Sequence, residues 1–445
     1  MGLGRYLVAL SWGVGLLTSG VASAGEAVRA RSAGPGGTQE TPLLADMLTW
    51  SRPLAGPGDD ETGRIASDRA GGYLAVVNFN TGIDIGTGPL PGSTEAGVWN
   101  TVIARYDTQG KAQVLKTFDS AFTVRHAVDA QRNIVLIIST GGGVMEPGAH
   151  LAKLDPAGTL LWLRPLPESQ QWPQVLTTDR DGNIGVGGFT RGSPRLSFFK
   201  YSPEGVRLWT FIDSQAGQSE ARAATADADG NFYVVGSAMG TVSVVEPYLV
   251  KLSPDGQAQW RRRLTDSVGF GFDVATHGNR VVMVGTFGGA FQFAGSSHVA
   301  IGNLGINQDA FVAAWTRDGE ERWAWNFAFD VHGVAMDEAD GVTLVGGYQA
   351  ASADLGILGP LAGNPSSAAN VYVAKFDRLQ GDLRWVQGFP SGPDLSSPGL
   401  DEGSVAVTKD GRAAVLGLFH GTLQVGAKTW SAKGRSDLFL FGFAP

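Results

Sequence analysis

The chain has 445 residues, a formal net charge of −8, only 17% charged residues, 64 glycines and no cysteine. Its length allows one large domain or two to three ordinary ones. No Lys/Arg run or basic stripe is present, which argues against a nucleic-acid partner, and the lack of cysteine excludes disulfides, thiolate metal sites and a cysteine nucleophile.

The chain begins MGLGRYLVALSWGVGLLTSGVASAGE. Arg5 supplies a short basic segment, residues 6–17 an apolar one, and Ala22-Ser23-Ala24 a small-residue cleavage pattern. Residues 1–24 are therefore expected to be a signal peptide, removed on export to the periplasm or the outside of a bacterial cell. No later stretch reaches the roughly 18 apolar residues of a spanning helix. Residues 25–45 are small, polar and Gly/Pro-rich and read as a flexible linker. That leaves 46–445 for a single folded domain.

An isolated strand pattern comes first, DMLTWSRPL from Asp46 to Leu54. A repeat follows it. The copies are ASDRAGGYLAVV (from Ala66), AVDAQRNIVLII (Ala127), TTDRDGNIGVGG (Thr177), TADADGNFYVVG (Thr225), VATHGNRVVMVG (Val274), AMDEADGVTLVG (Ala335) and VAVTKDGRAAVLG (Val405). Each reads as a short strand, a turn and an apolar strand. A second element follows each copy, as in AKLDPAGTLLWLRPL from Ala152 and VKLSPDGQAQWRRRL from Val250: a strand, a D-x-x-G-type turn and a strand that usually carries Trp. The unit is thus a four-stranded antiparallel blade, and its period of about 50 to 70 residues is that of propeller blades. The last copy, LFLFGFAP from Leu438, stops before its fourth strand. The isolated strand matches the missing one, with Trp50 standing where Trp162, Trp209, Trp260, Trp323 and Trp385 stand and blade 1 having Val114. The predicted fold is therefore all-β: a seven-bladed β-propeller closed by Asp46–Leu54 pairing with the C-terminal strand, which removes an open edge.

The D-A-D-G of Asp227 to Gly230 resembles the start of a calcium loop, but FYVVG follows where further oxygen ligands would be needed. It reads as a hairpin turn instead, since Asp, Asn and Gly accept left-handed backbone angles. The Trp positions read as packing between neighbouring blades.

The turn-plus-strand pattern with D-x-F-V-A resembles the SBBP-type β-propeller repeat of secreted bacterial proteins, best in residues 285–323 and 417–441. The turn-plus-Trp element also resembles the tryptophan-docking repeat of quinoprotein-type propellers. The resemblance spans nearly all of the chain after the linker. It implies a fold and says little of function, because such repeats are scaffold. The dehydrogenases of the quinoprotein group usually have eight blades and often a cysteine pair at the cofactor. Seven blades and no cysteine argue against pyrroloquinoline quinone, and no cofactor is expected.

Ligands of propellers usually sit at the axis or on the face where inner strands begin. Those starts place Arg64, Arg125 with His126, Gln174, Arg222, Asp273, His332, and Glu402 or Ser404 at the entrance. Three arginines in this ring suit an acidic or polar ligand. Asp273, Asp401 and Glu402 are the possible acids of a catalytic site, and His126 and His332 its possible bases. No nucleophile elbow is present, and His150, His277 and His298 are scattered with no metal-binding spacing.

The loops between second and third strands are short in blades 2, 3 and 4 and long in blades 5, 6, 7 and 1. These four blades become contiguous on ring closure, and their loops are expected to form a raised wall on half of the entrance face. The leading expectation is a non-catalytic, monomeric binding or scaffold module for a protein, peptide or polysaccharide partner. A hydrolase or lyase acting on a polar carbohydrate or peptide at the axis is the alternative.

Overall fold

The structure, a computed structural model, describes residues 47–445 apart from residues 59, 94, 96, 141–148, 167–172, 191–193, 241–243, 301–307, 328–329, 349–351, 355–359, 363–369, 378–380 and 393–403. The expected signal peptide and linker lie outside the described residues, as does Asp46.

The backbone folds as a seven-bladed β-propeller of mostly four-stranded antiparallel sheets, without helices among the described residues. From axis to rim, blade 1 is Asp60–Ser67, Tyr73–Phe79, Asn100–Tyr106 and Ala112–Phe118. Blade 2 is Ala121–Val128, Ile134–Thr140, Ala149–Leu154 and Leu160–Pro165. Blade 3 is Val175–Thr178, Ile184–Phe189, Leu196–Tyr201 and Arg207–Ile212, and blade 4 is Ser219–Ala226, Phe232–Met239, Val245–Leu252 and Ala258–Arg263. Blade 5 is Ser267–His277, Arg280–Phe293, Gln308–Thr316 and Glu321–Phe327, and blade 6 is Gly333–Met336, Val342–Tyr348, Asn370–Phe376 and Leu383–Phe389. Blade 7 is Ser404–Val407, Ala413–Phe419 and Asp437–Phe443, and its fourth strand is Leu48–Leu54. Ring closure is therefore as expected: Trp50 pairs with Gly442 and Leu54 with Leu438 in antiparallel register.

The core follows the repeat. Second and third strands bury both faces, which is why they are largely apolar. Among the described residues the apolar interior falls into seven clusters, each shared by two neighbouring blades. The Trp residues of the outer strands join blades at the rim. Trp162, Trp209 and Trp260 donate Nε1–H to the carbonyls of Pro203, Pro254 and Arg317 in the next blade, at 3.2, 2.9 and 3.0 Å. Trp50 does the same to Thr108 at 3.0 Å. The receiving turns need glycine: at Gly110 and Gly256 φ is +74° and +86°, and an added Cβ would lie 2.5 and 2.7 Å from the indole.

The aspartate of the first turn is engaged in holding that turn. Asp227 Oδ1 accepts the N–H groups of Asp229 and Asn231 at 2.9 and 3.0 Å, and Arg317 pairs with Oδ2 at 2.7 Å. Asp129 and Asp179 cap their turns alike and meet Lys153 and Lys200 at 2.9 and 3.1 Å. The D-A-D-G stretch is thus a hairpin turn, with Gly230 at φ +80°.

The long loops depart from the raised wall expected of them. Each carries a further two-stranded hairpin, formed by Gly82–Asp84 with Pro89–Pro91, the end of Arg280–Phe293 with Ser296–Val299, Ser352–Asp354 with Pro360–Ala362, and Thr422–Val425 with Lys428–Ser431. Their apolar side chains pack inward. Ile83 and Ile85 join the core between blades 7 and 1, Phe291 and Phe293 that between 4 and 5, Leu361 that between 5 and 6, and Leu423 and Val425 that between 6 and 7. The alternation Ile83-Asp84-Ile85, Phe291-Gln292-Phe293 and Leu423-Gln424-Val425 gives the hairpins of blades 1, 5 and 7 one apolar side to bury, so burial draws them onto the blades.

Candidate functional site

The inner strands carry a shared irregularity that aims the axial side chains. Pairing with the second strand slips between Glu61 and Arg64, Thr123 and Arg125, Ala221 and Ala223, and Gly271 and Asp273. In blades 3 and 6 the amides of Gln174 and His332 donate to Gly187 and Val345, the residues that also face Val175 and Gly333. Two residues on the inner strand thus oppose one on its neighbour, a bulge that redirects a side chain. The bulge brings Gln174, Arg222 and His332 to one level, and Arg64, Arg125 and Asp273 to the next position along. Glu402 and Asp401 lie outside the described residues. Ser404 is described, and its Oγ accepts from the Ile65 amide at 3.2 Å, linking blades 7 and 1.

Arg64, Arg125, His126 and Asp273 form one electrostatic cluster, although they come from blades 1, 2 and 5. Asp273 Oδ1 accepts from the Val274 amide at 2.8 Å and Oδ2 from the Val334 amide at 2.9 Å. Surrounding protein raises its pKa to about 6, opposed first by those two amides and then by Arg64 and Arg125. Asp273 as a residue is only half-buried, so solvent screening moderates the effect. His126 is 9% exposed. Burial, followed by the charge of Arg64, lowers its pKa to about 3. It is a neutral imidazole wedged between blades 1 and 2, and a poor general base.

The mouth of the channel on blades 4, 5 and 6 is built differently. Each blade presents two side chains spaced by two residues: Glu220 and Arg222, and Phe270 and Phe272, on the inner strands of blades 4 and 5, and Asp330 and His332 in the segment leading into Gly333–Met336 of blade 6. Arg222 Nε donates to Glu220 Oε1 at 2.7 Å. Its guanidinium lies over the rings of Phe270 and Phe272, 4.5 and 5.4 Å from their centroids. The two partly exposed rings are parallel within 5°, with centroids 6.4 Å apart. His332 Nε2 stands 3.4 Å from Asp330 Oδ2. The result is an aromatic ladder flanked by two acid–base pairs. Sequence reasoning found Arg222 and His332 but missed Phe270, Phe272, Glu220 and Asp330. The i, i+2 spacing from the already selected residues was the signal that pointed to them.

The arginines are not a bare cationic ring. Arg222 is matched by Glu220, and Arg64 and Arg125 lie in the field of Asp273. Such a site offers hydrogen bonds and aromatic faces, not a large net charge. On the opposite face a groove of about 580 Å³ lies under blade 1, lined by Asp68, Arg105, Asp107 and Lys111 among others. Its charges serve the fold: Arg105 pairs with Asp68 at 3.2 Å, and Asp107 accepts the amides of its own turn at 2.9 and 2.8 Å. Among the described residues no group of three or more His, Asp or Glu could hold a metal ion, and no helix is long and apolar enough to cross a membrane.

No family model matches the chain, and no curated protein matches it. Solved structures resemble it in fold. Hydrazine synthase of Kuenenia stuttgartiensis superimposes with a TM-score of 0.50 at 12% identity, over 85% of this chain and 96% of that one. The β-propeller domain of the trilobed protease from Pyrococcus furiosus gives 0.45 at 10% identity, over 85% and 98%. Quinohemoprotein alcohol dehydrogenase from Comamonas testosteroni gives 0.42 at 12% identity, over 89% and 76%. At these identities the likeness is one of fold alone, and the fold is that of the β-propellers.

Proposed function

We propose that the protein is an exported, non-catalytic binding module, working in the periplasm or outside the cell, that holds a polar chain ligand on the entrance face of blades 4 to 6. The observation that carries this reading is the Phe270–Phe272 ladder with Arg222 laid across it and Glu220, Asp330 and His332 beside it. Parallel, partly exposed rings offer flat apolar area, and polar groups at their margins fix orientation. That combination suits the ring faces and hydroxyls of a glycan, or the side chains and amides of a peptide. Binding is favoured over catalysis because the axial acid and base are committed elsewhere. Asp273 accepts two backbone amides, and His126 is buried and neutral. We also take the repeats to be of the SBBP kind with tryptophan-docking turns, a kinship supported by the Trp-to-turn bonds between blades.

The test is to probe glycan and peptide arrays with the labelled chain and with a Phe270→Ala/Phe272→Ala variant of unchanged melting temperature. The reading expects a coherent set of hits on one array type, lost in the variant. Hits retained by the variant would move the site elsewhere. Conversion of a hit into products would replace this reading with the hydrolase or lyase alternative.

A further inference from the structure

Arginine carries its N–H donors in a rigid planar fork. At the mouth, Arg222 commits only one of them. Its Nε–H goes to Glu220 Oε1 at 2.7 Å, and among the described residues Nη1 and Nη2 have no protein acceptor. The fork is nonetheless held still. Glu220 Oε1 also accepts from Ser237 Oγ at 3.4 Å, on the second strand of the blade. The guanidinium is braced over the rings of Phe270 and Phe272, 4.5 and 5.4 Å from their centroids. Other arginines of blade 4 commit their Nη groups to the fold: Arg261 Nη2 donates to Asp213 at 3.2 Å, and Arg263 Nη1 to the Met239 carbonyl at 2.9 Å. A braced fork with its outer donors uncommitted matches a carboxylate, which it binds bidentately.

Charge narrows what the fork takes. Arg222 is matched by Glu220, and on blade 6 Asp330 Oδ2 stands 3.4 Å from His332 Nε2. A doubly charged group would meet two carboxylates here, whereas a single carboxylate needs only the fork. The net charge of −8 gives a polyanion no long-range attraction, so an anion held at this face must be recognised at short range. Between fork and Asp330 lie the two phenylalanines of blade 5, still partly exposed with the guanidinium over them. The Val334 amide donates to Asp273 Oδ2 at 2.9 Å and joins blades 5 and 6 beside the ladder. Around the mouth the order is therefore a donor fork, apolar ring faces and an acceptor carboxylate.

We infer that the ligand of this face is a uronic-acid polysaccharide, with the carboxylate of one sugar bound by Nη1 and Nη2 of Arg222. The inference rests on the entrance-face reading and narrows it. A pyranuronate carries three matching features in the same order: a carboxylate at one edge, an apolar C–H face and hydroxyls at the opposite edge. The C–H face lies on the phenylalanine rings, and the hydroxyls donate to Asp330. A glutamate side chain would fill the fork, but it has a slender methylene stem in place of a ring face and no hydroxyl for Asp330.

The probes are tetramers of galacturonate, glucuronate and mannuronate and the methyl ester of each, titrated into the full chain by calorimetry. Esterification removes the charge and keeps the sugar ring. The expected result is saturable binding of at least one acid, with its ester at least tenfold weaker. Arg222→Gln should lower the acid to the level of the ester and leave the ester unchanged. Arg222→Lys keeps the charge without the fork and should recover only part of the loss. Phe270→Ala/Phe272→Ala should weaken acid and ester alike, and melting curves verify that each variant is folded. No saturable binding of any acid, or an acid that Arg222→Gln binds as the wild type does, overturns the inference. Equal binding of acid and ester, both lost with the two phenylalanines, also overturns it while leaving the entrance-face reading intact; binding that neither substitution changes removes both. A tetraglutamate peptide bound through Arg222 where no uronate binds overturns it in favour of an acidic peptide.

Discussion

Replacing Trp50 by alanine tests ring closure at one side chain. Trp50 reaches from the closing strand to the first blade. Its Nε1 donates to Thr108 at 3.0 Å, and its ring lies 6.4 Å from that of Tyr73. It also covers Gly442, where an added Cβ would sit 2.1 Å from the indole. Removing a fully buried Trp costs roughly 3–5 kcal/mol. Trp50 is partly buried, so about 3 kcal/mol is expected, of which about 1 kcal/mol is the hydrogen bond. A cooperative unit of about 400 residues unfolds with an entropy of about 0.8 kcal/mol/K, so the melting temperature should fall by about 4 °C. Trp50→Phe keeps most of the area and loses the hydrogen bond, and should fall by about 1 °C. Calorimetry on both variants, with urea unfolding as a second probe, reads the difference. A Trp50→Ala protein that melts with the wild type would refute the closing role of this strand.

Three further outcomes follow from burial and charge. Phe291 lies in a loop insertion but is 1% exposed, so Phe291→Ala should destabilise by about 3–5 kcal/mol in urea unfolding, as a core residue does; a surface-like effect would restore the raised wall. His126, held neutral with its pKa lowered to about 3 by burial and then Arg64, makes acid unfavourable. As pH falls from about 6.5 toward 3 the unfolded chain takes up a proton that the folded one refuses, so stability is lost across that window. His126→Gln should flatten that part of the profile in urea unfolding. Asp273, raised to about 6 by burial, has the opposite sign. As pH rises from about 4 to 6 the unfolded chain releases a proton that the folded one retains, and stability falls by at most about 3 kcal/mol. Asp273→Asn should remove this slope while costing a constant amount for the amide bond that its NH₂ group cannot accept.

The blade repeat, the count of seven and the closing strand were legible because each is local: a turn residue, a run of apolar strand residues, a Trp at a fixed distance from a glycine. Trp50 could be assigned from its neighbours in sequence alone. The destiny of the long loops was not assigned so readily. Length suggested a wall, whereas the alternation in Ile83-Asp84-Ile85 and Leu423-Gln424-Val425 held the information that these segments bury one side. The mouth was half legible. Counting from the turn located Arg222 and His332 but not the bulge that sets their direction. A search for polar axial groups passed over Phe270 and Phe272. The burial of His126 depends on the packing of blade 1 against blade 2, which no local pattern encodes.

The absence of cysteine permits a direct test of the binding site. Val268→Cys places one thiol at the mouth on blade 5, where the native side chain is 44% exposed. Lys409→Cys places one in the first turn of blade 7, on the opposite face, where the native side chain is 78% exposed. Alkylation rates are measured with and without the strongest glycan or peptide hit. Slowing at position 268 with an unchanged rate at 409 is the result expected of a ligand held over the Phe270–Phe272 ladder. Equal rates at 268 with and without ligand, under conditions where the ligand is bound, would contradict the entrance-face account.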